Sequence, residues 1–203
     1  MLYFIAFLKL LNWIDIAILI IFVRILFISL KTGIGAEIFK LLGALTAAYL
    51  SLHYYSSVAG YFATRFALDP SAIAGFEAMF FVILACIGYG FFLLLRLLLK
   101  RFMNMEVVPT ISRVGGLLLG IFRAFLFGSL LLYFFLATAH PYLNKSVRTS
   151  FSGMALVNLA PSTYNFCWNA VTSKLAPREK FNGAVFEIQK DKTKKCPIED
   201  SNL

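Results

Sequence analysis

Three charged residues interrupt long apolar stretches of this chain and are the side chains best placed to do chemistry. Arg24, Glu37 and Arg123 each stand within or at the edge of a hydrophobic run long enough to cross a bilayer. A charged side chain at the centre of a membrane costs at least about 2.5–3.5 kcal/mol on insertion scales. Each of the three therefore needs a partner, a water path or a function.

Helical rise predicts that these charges lie at similar depths. Arg123 falls about 13 Å from the loop that precedes its helix, and Arg24 is at a similar depth counted back from Gly33. Glu37 comes four residues after Gly33 and enters from the same side. We expect Glu37 to pair with Arg123 or Arg24 in one intramembrane polar cluster. Two interpretations stay open: a structural knot between helices, or a polar path for an ion, peptide or lipid headgroup.

A stripe of small residues runs along the segment that carries Arg123. Its members recur every four residues: Gly116, Gly120, Ala124 and Gly128. Small side chains at this spacing let another helix backbone approach closely. The stripe predicts a helix-packing seam, either within one subunit or between the subunits of a homo-oligomer.

Residues for catalysis or metal binding are sparse. His53 and His140 stand at the ends of apolar runs without a recognisable serine or carboxylate arrangement. Cys86, Cys167 and Cys196 form no CxxC pair and have no nearby histidine pair. Cys167 and Cys196 could form a disulfide only in an oxidising compartment. We therefore expect no enzymatic activity, no metal and no cofactor.

The composition places the chain in a membrane. Of its 203 residues, 60% are hydrophobic and 14% charged, and the mean hydropathy is +0.81. The net charge of +9 does not indicate nucleic-acid binding, because most basic residues flank apolar runs or lie in the C-terminal tail. In such positions they contact anionic lipid headgroups. The lipid bilayer is the expected partner.

The apolar runs predict an all-α fold, an integral membrane four-helix bundle within residues 1–141. Its spans are expected at about 13–30, 34–52, 76–99 and 114–139. A further helix, over 56–68, is expected to lie on the membrane surface.

Beyond Pro141 the composition changes. Apolar stripes at helical spacing predict interfacial amphipathic helices over residues 142–177, broken at Pro161. Residues 178–203 are charged and poor in apolar side chains, and we expect a flexible tail.

Basic residues near the membrane suggest an orientation. The side that holds the loops after the first and third spans carries six of them close to the membrane, against four on the opposite side. Because basic residues favour the cytoplasmic side, we expect both termini in the periplasm.

Several motifs together resemble the colicin V production protein family. They are Trp13-Ile14-Asp15, Gly33 followed at +4 by Glu37, His53-Tyr54-Tyr55, and Ser112-Arg113-Val114 with Gly116, Gly120 and Arg123. The resemblance covers residues 12–138. The chain departs from the family pattern at Ser112, where an acidic residue is usual, and at Ala124, where a glycine is usual.

The resemblance implies a multi-pass protein of the bacterial inner membrane that assists toxin (bacteriocin) production or secretion and envelope maintenance. Secretion or envelope proteins are then the expected protein partners. A small oligomeric channel or transporter, with the polar cluster in its path, is the alternative. A purely structural membrane scaffold is a third option.

Overall fold

The computed structural model describes residues 12–66, 70–99, 109–138, 140–175, 179, 181–183 and 185–186. Every regular element in these ranges is helical, which confirms the all-α prediction for this part of the chain. In order they are α1 (Trp13–Phe66), α2 (Pro70–Leu99), α3 (Pro109–Ala137), α4 (Pro141–Thr149), α5 (Phe151–Leu156), α6 (Leu159–Cys167), a π-helical turn (Trp168–Thr172) and α7 (Ser173–Leu175).

Helix α1 changes direction at Gly33, whose φ of 71° and ψ of 166° are not helical. A straight helix of its 54 residues would extend about 80 Å. Instead, Ile14 near its start clusters with Leu132, and Tyr55 towards its end clusters with Tyr133. Both parts of α1 therefore extend from Gly33 along α3 towards the same end of the bundle, and they are antiparallel to each other.

The turn at Gly33 depends on glycine and on α3. A positive φ strains any residue with a side chain, and a Cβ at position 33 would also lie 2.7 Å from the Ser112 hydroxyl oxygen. That oxygen accepts a hydrogen bond of 3.2 Å from the Ile34 N–H, which the turn leaves without a helical partner. We call residues 13–32 arm A and residues 34–66 arm B.

The described residues form two hydrophobic cores towards the end of the bundle away from Gly33. The larger joins arm B, α2, α3 and α6, and it includes Leu52, Phe81, Tyr133 and Tyr164. The smaller joins arm A, α3 and α4. Helix α2 also packs tightly on arm B, because a Cβ at Gly88 would lie 2.9 Å from the Ala47 Cα.

Among the residues that the structure describes, three helices are long and apolar enough to cross a membrane: Trp13–Phe66, Ala72–Leu99 and Ser112–Ala137. Large hydrophobic side chains such as Ile20, Phe91 and Leu97 are exposed along the first two. So large an exposed apolar surface is unfavourable in water and favourable in contact with lipid. The structure is that of a membrane protein.

Some helix boundaries differ from the sequence prediction. Residues 56–66 were expected in a separate surface helix, but arm B continues through them to Phe66. Pro109 was expected in a loop, but it begins α3, where its missing N–H is not needed. The expected break at Pro161 is misplaced, because Pro161 lies in the first turn of α6 and the preceding helix ends at Leu156.

Part of the predicted flexible tail packs on the bundle. Val185 is fully buried in the larger core, and Phe181 stacks on Tyr164. The Asn182 side chain donates hydrogen bonds to the backbone carbonyls of Leu52 and His53 at 2.8 and 3.1 Å. These positions of the predicted tail therefore contact the bundle, whereas residues 187–203 lie outside the described residues.

Candidate functional site

Glu37 is the centre of a buried charge cluster. Its side chain is inaccessible to solvent. Its Oε1 accepts hydrogen bonds from Lys40 Nζ at 2.6 Å and from the Thr32 hydroxyl at 2.5 Å. Its Oε2 lies 2.8 Å from Arg123 Nη1. One carboxylate thus joins arm A, arm B and α3.

Local sequence explains how arm B presents this carboxylate. Thr32 and Glu37 flank the turn at Gly33, so the last residue of arm A faces the first helical turn of arm B. Lys40 follows Glu37 by three residues and lies on the same helix face. The turn and the helical period together place hydroxyl, carboxylate and ammonium groups side by side.

The glycine stripe explains how α3 places Arg123 beside Glu37. A Cβ at Gly116 would lie 3.1 Å from the Ser29 carbonyl oxygen, and one at Gly120 would collide with the Ser29 side chain. Arm A and α3 therefore approach closely only because both positions lack a side chain. Arg123, less than one turn beyond Gly120, then reaches the carboxylate of Glu37.

The guanidinium of Arg123 is incompletely satisfied. Only 3% of the residue is exposed, and its Nη2 donates a long hydrogen bond of 3.4 Å to the Ser29 hydroxyl. Its Nη1 pairs with Glu37 by charge, but in a geometry that is not that of a hydrogen bond. Its Nε has no hydrogen-bond partner among the described residues. Buried polar groups nearly always have a hydrogen-bond partner, so the Nε of Arg123 is an exception that needs an explanation.

Arg24 does not join the ion pairs. It is exposed on arm A, and no carboxylate of the described residues pairs with it. It lines one cleft together with Lys40 and Arg123. Asp15 of the same arm instead accepts hydrogen bonds of 2.8 and 2.5 Å from the Ser152 N–H and hydroxyl. Of the three predicted cluster residues, the structure brings Glu37 and Arg123 into contact and leaves Arg24 on the cleft wall.

The small-residue stripe packs within the chain. Gly116 and Gly120 face arm A, and Ala124 is 1% exposed. A Cβ at Gly128 would make ordinary contacts with Leu156 and Ile18. The first of the two predicted uses of the stripe, tight contact inside one subunit, is the one that the structure displays.

A second polar cluster lies at the other end of arm B. His53 Nε2 lies 2.6 Å from Glu179 Oε2, and its Nδ1 lies 2.8 Å from the Tyr164 hydroxyl. The Tyr54 hydroxyl donates to both carboxylate oxygens of Glu179. Hydrogen bonds from His53 and then from Tyr54 hold the pKa of the Glu179 carboxyl below its ordinary value. This cluster attaches the segment after α7 to the bundle.

The cysteines do not add a cross-link in the described structure. Cys86 and Cys167 are both free thiols, and Cys196 lies outside the described residues. Burial raises the pKa of the Cys167 thiol. In the part of the chain that the structure describes, no three His, Cys, Asp or Glu side chains form a group that could hold a metal ion.

Sequence reasoning missed part of both clusters. Ser29 and Thr32 were not assigned a role, although they are the polar residues of an otherwise apolar face before Gly33. Lys40 was not part of the predicted cluster. No sequence pattern indicated the contact between His53 and Glu179, because the two residues are 126 positions apart.

Comparison with known proteins supports the motif-based interpretation. Residues 14–161 match the family described as colicin V production protein. This span contains arm A from its second residue, arm B, α2, α3 and all residues of the Glu37 cluster. No curated protein and no solved structure matches the chain. The match covers well over half of the sequence, and the chain belongs to the colicin V production protein family.

Proposed function

We propose that this protein is a multi-pass protein of the bacterial inner membrane that assists the production or secretion of a peptide toxin and the maintenance of the cell envelope. The family match over residues 14–161 is the observation that carries this proposal. The matched range contains the membrane-length helices and the buried charges, so the shared part is the membrane domain itself. The proposed role is an accessory one and not catalysis.

The proposal includes four crossings of the membrane. Arm A has enough residues to span about 30 Å of hydrocarbon, and arm B is longer. Because α1 folds back at Gly33 and its two arms are antiparallel, it supplies two crossings in this proposal, and α2 and α3 supply one each. The Gly33 turn and the start of α3 then share the cytoplasmic side. The segments before α1 and after α3 share the periplasmic side.

Within this proposal the Glu37 cluster holds the bundle in register. Its ion pairs join arm B to α3, and the Thr32 hydroxyl joins arm A to both. A structural cluster of this kind would keep the outer surfaces in the arrangement that secretion or envelope partners recognise. Arg123→Leu separates structure from function: a stable but inactive protein would assign the cluster a direct role in transport.

A deletion strain tests the proposed function. We expect a strain that lacks this protein but carries the genes for a peptide toxin to release less toxin, measured by killing of a sensitive strain. The wild-type chain should restore release, and Glu77→Gln should restore it equally, because Glu77 lies on α2 outside the cluster. Unchanged release and an unchanged sensitivity to envelope stress would contradict the proposal. Ion flux through liposomes that contain only this protein would replace it with the channel alternative.

A further inference from the structure

A cleft beside the Glu37 cluster collects positive charge. It has a volume of about 600 Å³ and is lined by arm A, arm B, α2 and α3. This is within the range of about 300–1,000 Å³ that is typical of small-molecule sites. Arg24, Lys40 and Arg123 all line it. Arg24 and Ile28 are exposed on its wall, so it opens on the outer surface of the bundle.

The charges at this cleft do not balance. Three cations line it, and Glu37 is the carboxylate that pairs with two of them. Arg24 has no anionic partner among the described residues, and Arg123 lines the cleft with its Nε lacking a hydrogen bond. Unbalanced positive charge in an apolar medium is costly, which favours a bound anion.

The remainder of the cleft is apolar. Ile21, Phe127 and Leu131 lie deeper along arm A and α3 than the three cations, and Tyr89 of α2 adds an aromatic ring and a hydroxyl. The Tyr89 ring packs edge-on against Phe127 at 5.2 Å between centroids. A ligand that fits both parts has an anionic group near the cations and an apolar chain below it.

We propose that this cleft binds a phosphate or carboxylate group, with Arg24 and Arg123 as its main donors. Counted by helical rise from Gly33, Lys40 lies about 10 Å and Arg24 about 13 Å into the bundle. Arginine and lysine side chains extend towards the interface, so a headgroup can meet them there. The group belongs either to an anionic lipid, whose chain occupies the apolar part, or to a free anion.

Lipid binding to the purified full-length chain tests this site. Native mass spectrometry in detergent measures retention of phosphatidylglycerol, with phosphatidylcholine as the zwitterionic control. We expect preferential retention of phosphatidylglycerol, weakened about tenfold by Arg24→Gln through loss of a charge-assisted hydrogen bond. The matched control is Arg113→Gln, which removes an exposed arginine of α3 that does not line the cleft. It should leave retention unchanged.

Two further measurements identify the source of the anion. Ile21→Trp fills the apolar part and leaves every cation in place. Loss of phosphatidylglycerol in this variant assigns the site to a lipid, whereas inorganic phosphate that binds wild type and Ile21→Trp equally and depends on Arg24 assigns it to a free anion. Equal retention of both lipids with no phosphate binding, or equal weakening by Arg24→Gln and Arg113→Gln, would overturn the proposal. The readout is binding alone, so it is independent of the secretion phenotype.

Discussion

At the scale of single residues, Glu37 is the side chain whose loss should cost most. It is fully buried and pairs with two cations that are themselves at least 93% buried. The ion pairs are not evidence of large net stabilisation, because burying charges is costly in itself. Removing one member is different, since it leaves the remaining charges buried without compensation.

The effects of neutralising Glu37 and Arg123 on the free energy of unfolding should be non-additive. We expect Glu37→Gln to lower the free energy of unfolding by about 3–5 kcal/mol, because it leaves two buried cations uncompensated. Arg123→Gln should cost less, because Glu37 keeps Lys40 as a partner. The double variant should lose less than the sum, with a coupling of about 1–3 kcal/mol. Unfolding of the four proteins in detergent measures this cycle. Additive losses would show that the contact of 2.8 Å carries no energy.

Glu77→Gln is the matched control for this cycle. It also neutralises a partly buried glutamate within a membrane-length helix, but Glu77 has no ion-pair partner among the described residues. We expect unfolding at or above the wild-type midpoint. A loss as large as that of Glu37→Gln would mean that any neutralisation disturbs the bundle.

Glu179 should make the attachment of the C-terminal segment depend on pH. Its pKa is lowered by hydrogen bonds from His53 and Tyr54 that exist only when the segment is attached. Attachment is therefore fully stabilised above the ordinary carboxyl pKa of about 4.3 and weakens as pH falls through the lower, attached value. Trp168 packs against His53 and Phe181, so its fluorescence in a Trp13→Phe background reports the change.

The control for this titration is Glu179→Gln. It removes the titrating group, so the fluorescence change between pH 6 and pH 3 should disappear and attachment should be weaker throughout. An identical transition in both proteins would assign the change to another group.

At the scale of elements, the close approach of arm A and α3 determines whether the charges can meet. Gly116 and Gly120 leave space for the backbone and side chain of Ser29. The same two helices are also joined by the edge-on contact of Phe22 with Phe125, at 5.0 Å between centroids. A larger residue in the stripe would push the helices apart at the level of Arg123.

We expect Gly120→Ala to destabilise the protein by about 1–3 kcal/mol, because the new methyl group collides with Ser29. Gly90→Ala is the matched control, since a Cβ at Gly90 of α2 meets nothing within 4 Å. It should be neutral or stabilise the helix by about 0.5–1 kcal/mol. Thermal unfolding midpoints in detergent give the comparison. Equal midpoints for the two variants would exclude tight packing at Gly120.

At the scale of the whole molecule, the four proposed crossings of the membrane depend on the reversal of α1 at Gly33. Arm A runs antiparallel to α3, and arm B runs parallel to it. Residues of both arms contact the half of α3 that lies away from Gly33. These contacts show that α1 is not one straight helix, and they support the proposal that it crosses the membrane twice.

Cysteine labelling in intact cells tests this topology. In a background without native cysteines, we expect Lys31→Cys and Arg113→Cys to react with an impermeant maleimide from one side of the membrane. Arg65→Cys and Lys145→Cys should react from the other side. All four residues are exposed in the structure. Labelling of Lys31→Cys and Arg65→Cys from the same side would contradict four crossings.

Much of the architecture could be predicted because hydropathy is a local property. Long apolar runs mark the membrane-length helices wherever they pack, and the family motifs from Trp13 to Arg123 identified the family that the comparison confirms. The predicted ends of the helices were less accurate. Arm B continues to Phe66 because the Ala59 and Ala63 face is buried in the bundle, and burial of that kind depends on neighbours that are distant in sequence.

The sequence by itself determined that this is a helical membrane protein with scarce, deeply placed charges, because hydropathy and charge need no knowledge of neighbours. Only the tertiary structure decided which charges meet. Arg123 pairs with Glu37 while Arg24 remains on the cleft wall, although both arginines lie at similar depths. The rotation and separation of the helices determine which arginine reaches Glu37. Both follow from the turn at Gly33 and the contact of Gly120 with Ser29. These are long-range contacts that no local pattern encodes.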